Sequence, residues 1–145
     1  MGHIPVLIEE VVDNLSPEVG DLIVDATLGE GGHSREILSR ISPDGRLIGI
    51  DKDEAVIERA REKLRQFDGK YTCVKGDFRH IGEILKDQGV DAIDGVLFDL
   101  GMSSFQLDDP QRGFSFLKDG PLDMQFGADS GISAVSYTHL TLPTN

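Results

Sequence analysis

The sequence predicts an α/β protein built on a parallel sheet, and three observations carry that prediction. Short apolar runs alternate with segments whose apolar residues recur every three or four positions; four of those runs end on or just before an aspartate; and a glycine-rich turn follows the first of them. Strands and helices alternating at this spacing make right-handed βαβ units, which build a parallel sheet covered on both faces. The carboxyl ends of the strands in such a sheet form a ligand crevice.

Taken in order, His3-Ile-Pro-Val-Leu-Ile-Glu-Glu-Val-Val12 reads as a turn followed by a short amphipathic helix, with His3 a turn or capping residue. Leu22-Ile-Val-Asp25 is a buried-strand pattern that runs straight into the glycine-rich turn. From Ser34 to about Ile41 the residues Ile37, Leu38 and Ile41 recur at helical spacing, and Pro43-Asp-Gly45 ends that helix. A second strand, Arg46 to Asp51, leads to Asp53, a good N-cap for a helix whose apolar face is Ala55, Val56, Ile57, Ala60 and Leu64, extended by Phe67. The third strand spans Tyr71 to Lys75, the third helix of the repeat Ile81 to about Gln88, and the fourth strand Ile93 to Leu100. From Asp108 to Phe116 the chain turns polar, which predicts a loop and not a fifth strand.

A chain of 145 residues suits one domain with a real core. Its 26 acidic against 14 basic side chains give a net charge of −12, opposite to the usual footprint of a nucleic-acid binder. Net charge bears on steering and solubility, so a local basic site can still meet a polyanion. The single cysteine, Cys73, allows no intramolecular disulfide and reads as a small core residue on a strand. No run approaches the ~18 apolar residues of a membrane span, and no signal-peptide pattern opens the chain, so the cytoplasm is the expected compartment. The four histidines form no ligand-spaced pair, so no metal is expected.

The turn Asp25-Ala-Thr-Leu-Gly-Glu-Gly-Gly-His33 is where a cofactor is expected. Glycines let the backbone approach a ligand closely. A dinucleotide-binding loop wants a third glycine where this chain has Ser34, and Glu30 would face pyrophosphate charge. A Walker A loop is excluded because no Gly-Lys-Ser/Thr follows. S-adenosylmethionine instead carries a sulfonium, an ammonium and a ribose diol, all of which suit strand-end carboxylates. Asp51, at the end of the second strand, is placed to accept from the diol, a role it would also play toward NAD. Phe78 can pack on the adenine ring or serve as plain core, and Asp77 can accept from the adenine amino group or cap its turn. An NAD-dependent oxidoreductase and a non-catalytic adenosylmethionine-binding module are the competing readings.

The motifs His3-Ile-Pro-Val-Leu7, Asp25 to Ser34, Gly45-Arg-Leu-Ile-Gly-Ile-Asp-Lys-Asp53, Phe98-Asp-Leu-Gly-Met-Ser-Ser104 and Gln106-Leu-Asp-Asp-Pro-Gln-Arg-Gly-Phe-Ser-Phe116, continuing to Asp119-Gly-Pro-Leu-Asp-Met124, together resemble the bacterial small-subunit ribosomal RNA cytosine-N4 methyltransferases. The likeness covers about residues 3 to 134. It implies a Rossmann-like class I methyltransferase fold, of which about four strands are present, with residues 1–107 forming the cofactor-binding domain and residues 108–134 the start of an inserted helical domain. It also implies adenosylmethionine as cofactor, with contacts from Gly31, Gly32, His33, Asp51, Phe78, Asp99 and Gln106. The implied substrate is a cytidine of 16S ribosomal RNA, met as free RNA or in the assembled small subunit. Phe105 departs from the family, which usually has proline there.

Methyl transfer to an exocyclic amine needs an acceptor for an amino proton, because the nitrogen lone pair is delocalised into the ring. Asp99 is the candidate catalytic residue, serving the substrate, the cofactor ammonium, or both. The usual amino-methyltransferase pattern of a polar residue, two prolines and an aromatic is absent from Asp99-Leu-Gly-Met-Ser-Ser104. The tail Val135 to Asn145 resembles a translated sequencing-adapter frame, so it is expected to be non-native and the piece inactive alone.

Overall fold

A computed structural model describes residues 7–101, 104–115, 117–121 and 123–125. His3, Met102, Ser103, Phe116, Leu122, the rest of the 108–134 segment from residue 126 on, and the tail 135–145 lie outside the described residues. The chain divides into two units, Met1–Gly101 and Met102–Asn145.

In the first unit, α1 (Ile8–Leu15) precedes β1 (Leu22–Asp25), α2 (Gly32–Ile41), β2 (Arg46–Asp51), α3 (Glu54–Leu64), β3 (Tyr71–Lys75), α4 (Ile81–Asp87) and β4 (Gly95–Leu97). The strands form one parallel sheet in the order β3-β2-β1-β4. The chain thus builds outward from β1 to β3 and then crosses to the far side of β1. The gap between β1 and β4 is where the strand order reverses, which is the place such sheets bind ligands.

Alternation along the strands sorts the core into two faces. Ile23, Leu47 and Leu97 point to one face, where they meet Val12 of α1, Ile37, Leu38 and Ile41 of α2, and Ile57, Ala60 and Leu64 of α3. Val24, Ile48 and Ile50 point to the other, packed by Ile81, Ile84 and Leu85 of α4. That second face is covered only in part, because Val96 and Phe98 are 37% and 47% exposed. Coverage on both faces was the expectation, and on this side it thins toward β4, where Phe98, just beyond the strand, has the Phe78 ring against it.

Other differences have local causes. The fourth strand pairs only at Gly95 to Leu97, shorter than the apolar run Ile93 to Leu100, because its partner β1 offers four residues and the register consumes Ile23, Val24 and Asp25. Its lower end is pinned by Asp94, whose carboxylate accepts from Leu22 N at 2.8 Å while its own N–H donates to Leu22 O at 2.9 Å. Helix α2 starts at Gly32, two residues before the apolar periodicity shows itself, because Gly31 at φ 78 supplies the N-cap conformation. Asp53 caps α3 as its sequence position predicts, accepting from Ala55 N at 3.0 Å. A 3-10 turn, Phe78–His80, precedes α4. Cys73 is half-buried against the first face, and burial pushes its thiol up.

In the second unit a short helix α5 (Ser104–Asp108) precedes the expected loop, and a 3-10 turn (Pro110–Arg112) lies within it. The turn is capped by Asp109, which accepts from Gln111 N at 3.0 Å. The Arg112 guanidinium lies over the Phe105 ring, 5.5 Å from its centroid, so the departure at Phe105 gives this unit a cation–π contact. Among the described residues no helix is long and apolar enough to cross a membrane.

Candidate functional site

The turn from Asp25 to His33 threads between the two strands that flank β1. Ala26 N donates to Leu97 O at 2.9 Å on the β4 side, and Leu28 N donates to Ile50 O at 3.0 Å on the β2 side. Side chains repeat the pattern one residue further on. Asp99 N donates to Thr27 Oγ1 at 2.7 Å, and Gly29 N donates to the Asp51 carboxylate at 3.0 Å. One loop therefore fixes the backbone of Asp99 and the side chain of Asp51 at once.

Asp25 is buried at the root of this loop. Its carboxylate accepts from Ser34 Oγ at 2.6 Å and from Thr27 N at 3.2 Å. Burial pushes its proton affinity above the ordinary carboxylate range, and the Ser34 and Thr27 donors oppose that shift. Ser34 stands where a dinucleotide loop has its third glycine. It is an anchor for Asp25, which explains why a hydroxyl occupies that position.

Gly31 reaches its left-handed conformation at low cost. A Cβ there would lie 3.3 Å from Ala60 Cβ on α3, so the glycine also lets the loop seat on that helix. Glu30 was expected to bring negative charge to the cofactor. Its carboxylate sits 4.0 Å from Lys63 Nζ of α3, which offsets that charge inside the protein. The case against pyrophosphate therefore rests on Asp25 and Ser34 more than on Glu30.

His33 lies in the first turn of α2 and is 7% exposed. Its Nδ1 is 3.6 Å from an Asp99 carboxylate oxygen, while its buried Nε2 has no hydrogen-bond partner. The Asp99 side chain itself is largely open to solvent. Asp51 is partly buried; besides Gly29 it accepts from Asp53 N at 3.0 Å, and burial raises its proton affinity against those donors. Its carboxylate has about four acceptor sites, so capacity remains for a ligand hydroxyl beside these backbone donors and Lys52 N–H.

On the β3 side, Asp77 is engaged by the protein itself. It caps the 3-10 turn through Arg79 N at 2.9 Å, accepts from Arg79 Nε at 2.8 Å, and lies 2.8 Å from Lys52 Nζ. The Arg79 side chain above all, then Lys52, holds its carboxyl well below the ordinary range. Of its two readings, the turn cap is the one the geometry bears out. Phe78 meets Phe98 edge to face, with ring centroids 5.7 Å apart. The aromatic rings that follow β3 and β4 thus touch each other.

Gly31, Gly32, His33, Asp51 and Asp99 therefore gather around one loop, and Phe78 lies on the same rim. Gln106 belongs to the second unit, where it is buried on α5. Sequence reading missed Thr27, Lys52 and Arg79. Thr27 had a signal, since it stands two residues beyond a strand-end acid in a turn, where a hydroxyl commonly bonds to backbone. The pairing of Lys52 with Asp77 joins residues just beyond two different strands and has no local signature.

Residues 1–140 match the MraW methylase family. The chain belongs to that family. The family is one of adenosylmethionine-dependent methyltransferases. The chain is 49% identical over 132 residues to ribosomal RNA small subunit methyltransferase H of Trichlorobacter lovleyi, a match covering 91% of this chain and 42% of the relative. It is 52% identical over 124 residues to the protein of the same name from Geobacter sulfurreducens, covering 86% and 40%. The matched region thus spans about two-fifths of the length of these relatives. Among solved structures, an rRNA-methylase candidate from Clostridium thermocellum superposes with a TM-score of 0.58 at 25% identity, covering 70% of this chain and 55% of that one. Fibrillarin from Aeropyrum pernix, solved with natively bound S-adenosyl-L-methionine, superposes with a TM-score of 0.51 at 21% identity over 66% of this chain and 37% of that one, which shows a shared fold. The Rossmann-like methyltransferase architecture is thereby established for the sheet described above.

Proposed function

We propose that this chain carries the S-adenosylmethionine-binding part of an RNA methyltransferase that methylates the N4 amino group of a cytidine in small-subunit ribosomal RNA. The observation that carries the reading is the acid-rimmed loop at the reversal point of the sheet, which ties Asp51 and Asp99 to one turn. Carboxylates on both sides suit a ligand with a diol at one end and positive charge at the other. The buried, unpartnered Nε2 of His33 is a polar atom left over for such a ligand.

In this reading Asp51 accepts from the ribose diol, Phe78 packs on the adenine, and Gly31 and Gly32 admit the ligand close to the backbone. Gln106 is assigned a cofactor contact by the family resemblance alone. The cofactor, when bound, supplies a methyl group carrying the character of a cation. Asp99 serves the cofactor ammonium or accepts an amino proton of the cytosine, building electron density on the attacking nitrogen. Holding amine and methyl in line supplies much of the remaining rate. Residues 1–107 are read as the cofactor domain and 108–134 as the opening of an inserted domain. The RNA, free or in the assembled small subunit, is met in the cytoplasm. We infer that this span binds cofactor without turning over alone.

Calorimetric titration with adenosylmethionine and with NAD tests the cofactor. Adenosylmethionine is expected to bind, and Asp51→Asn to weaken it by about tenfold or more, a hydrogen-bond loss of about 1.4 kcal/mol or above. Tight binding of NAD alone would overturn the reading. Incubating the chain with labelled adenosylmethionine and isolated small subunits tests transfer. Label on the N4 of one cytidine, mapped by mass spectrometry of nuclease digests, establishes catalysis by this span; binding without transfer favours the non-catalytic reading of it.

A further inference from the structure

We propose that Gly49 of β2 is a positioning residue for the cofactor loop: the space left by its missing side chain seats Leu28, and that seat sets where Thr27 and Gly29 hold Asp99 and Asp51. The effect on ligand binding rests on the adenosylmethionine reading given above.

Gly49 lies inside β2 among Leu47, Ile48 and Ile50, all of them apolar and buried. A glycine within a strand weakens it and commonly marks a place where another group approaches closely. Here that group is a single side chain. A Cβ on Gly49 would lie 2.7 Å from Leu28 Cδ1, 3.1 Å from Cδ2 and 3.2 Å from Cγ, so the whole end of the leucine rests on the bare strand. Leu28 is itself buried and joins the first face of the core. Gly49 is level with Asp25 in the β1–β2 register, so the loop leaving Asp25 turns at once to lay Leu28 across the neighbouring strand.

The two residues beside Leu28 are the ones that reach the acids. Thr27 Oγ1 accepts from Asp99 N at 2.7 Å, and Gly29 N donates to the Asp51 carboxylate at 3.0 Å. The Leu28 backbone donates to Ile50 O and accepts from Gly31 N, both at 3.0 Å. A displacement of Leu28 is therefore passed to both acids. Carbon atoms in ordinary contact stand about 3.5–4.0 Å apart, so a methyl at position 49 forces Leu28 back by roughly 1 Å. Hydrogen bonds are lost beyond about 3.5 Å, within reach of a shift of that size. The close-packed core around Leu28 leaves little room for escape into another rotamer.

Gly49→Ala, Leu28→Ala and the double variant of the 145-residue chain are titrated with adenosylmethionine, with urea denaturation reporting the folded fraction so that affinity is read on folded protein. Gly49→Ala is expected to weaken binding by about tenfold, the loss of one hydrogen bond. Leu28→Ala removes all three crowding carbons, so adding the methyl in that background is expected to change affinity by less than about twofold; such non-additivity reports a direct contact. Gly95→Ala is the matched control. Its Cβ would crowd Leu15 Cδ1 at 3.0 Å and Ile23 Cδ1 at 3.1 Å at the amino end of β4, so it is expected to lower stability and leave affinity unchanged. Amide hydrogen exchange without ligand supplies a second readout. Gly49→Ala is expected to speed exchange at Leu28 and Gly29 by about tenfold, and to leave Ala55, bonded to the Asp53 cap, unchanged.

Equal weakening by Gly49→Ala with and without the leucine overturns the proposal, as does the same affinity loss in Gly95→Ala or unchanged affinity and exchange in Gly49→Ala. Where Gly49→Ala alone does not fold, the double variant is expected to fold and to bind as Leu28→Ala does; its failure to fold where Leu28→Ala folds also overturns the proposal. Absence of adenosylmethionine binding by the unaltered chain overturns the cofactor reading, and the exchange pattern then decides by itself whether Gly49 positions the loop.

Discussion

The two inner strands and the two outer strands of this sheet all carry an aspartate near the carboxyl end, yet the four acids have different chemistry. Asp25 and Asp51 are the last residues of β1 and β2, whereas Asp77 and Asp99 stand two residues beyond β3 and β4. The inner pair is buried or partly buried, bonded mainly to backbone N–H groups and one hydroxyl, and pushed toward protonation by burial. Of the outer pair, Asp99 is open to solvent and faces a histidine, whereas Asp77 is partly buried beneath the cations that neutralise it. Position in the sheet makes the difference. A central strand has a neighbour on each side, so its end is roofed by adjoining loops, while an edge strand's end is reached by solvent and by long cationic side chains. Acids at equivalent sequence positions thus divide into a pair that shapes the loop and a pair with charge to spend on its surroundings.

Removing the Ser34 hydroxyl attacks the inner pair most directly. Ser34→Ala leaves a buried carboxylate without its shortest hydrogen bond, and a loss of about 1.5–3 kcal/mol is expected in urea denaturation at neutral pH. Asp25 is more easily protonated folded than unfolded, so its ionisation removes stability as pH rises through its folded range. The Ser34→Ala deficit should accordingly shrink on acidification. A deficit that grows with acid would mean that Asp25 is not the partner that matters.

The two capping aspartates of the first unit sharpen the same contrast at smaller scale. Asp53→Ala, which uncaps the eleven-residue α3 against the well-covered face, should cost about 1 kcal/mol, read as a lowered denaturation midpoint. Asp77→Asn, whose cationic partners Lys52 and Arg79 are exposed, should cost under about 1 kcal/mol and less in high salt. The folded-state proton affinity of Asp77 is depressed, so its contribution is present above the ordinary carboxylate range and fades as pH falls toward its folded value. Asp99→Asn should be nearly silent in stability, within about 0.5 kcal/mol, because its carboxylate is open to solvent. A large stability loss there would erase the inner–outer distinction.

Much of this arrangement is legible in the chain. The strand-end aspartates, the Asp53 cap and the glycine turn are local patterns, and each appears where its pattern lies. Depth of burial is less legible, since nothing in Leu22-Ile-Val-Asp25 says that β1 will be central and β3 an edge; that follows from the crossover to β4. Glu30 shows the same limit. Its charge was read along the chain as facing the ligand, but Lys63, on another helix, answers it. The short helix α5 escaped notice because five residues carry too little periodicity to stand out from a polar loop.

The Ser34–Asp25 hydrogen bond also bears on how such loops change allegiance over time. A single step from serine to glycine would bring the loop closer to a dinucleotide pattern, but it would strand a buried acid on the way. A step that first replaced Asp25 would leave the hydroxyl without its acceptor. The two positions must change together, so a lineage holding this pair is fenced off from the neighbouring cofactor class by a stability barrier that no single substitution crosses cheaply.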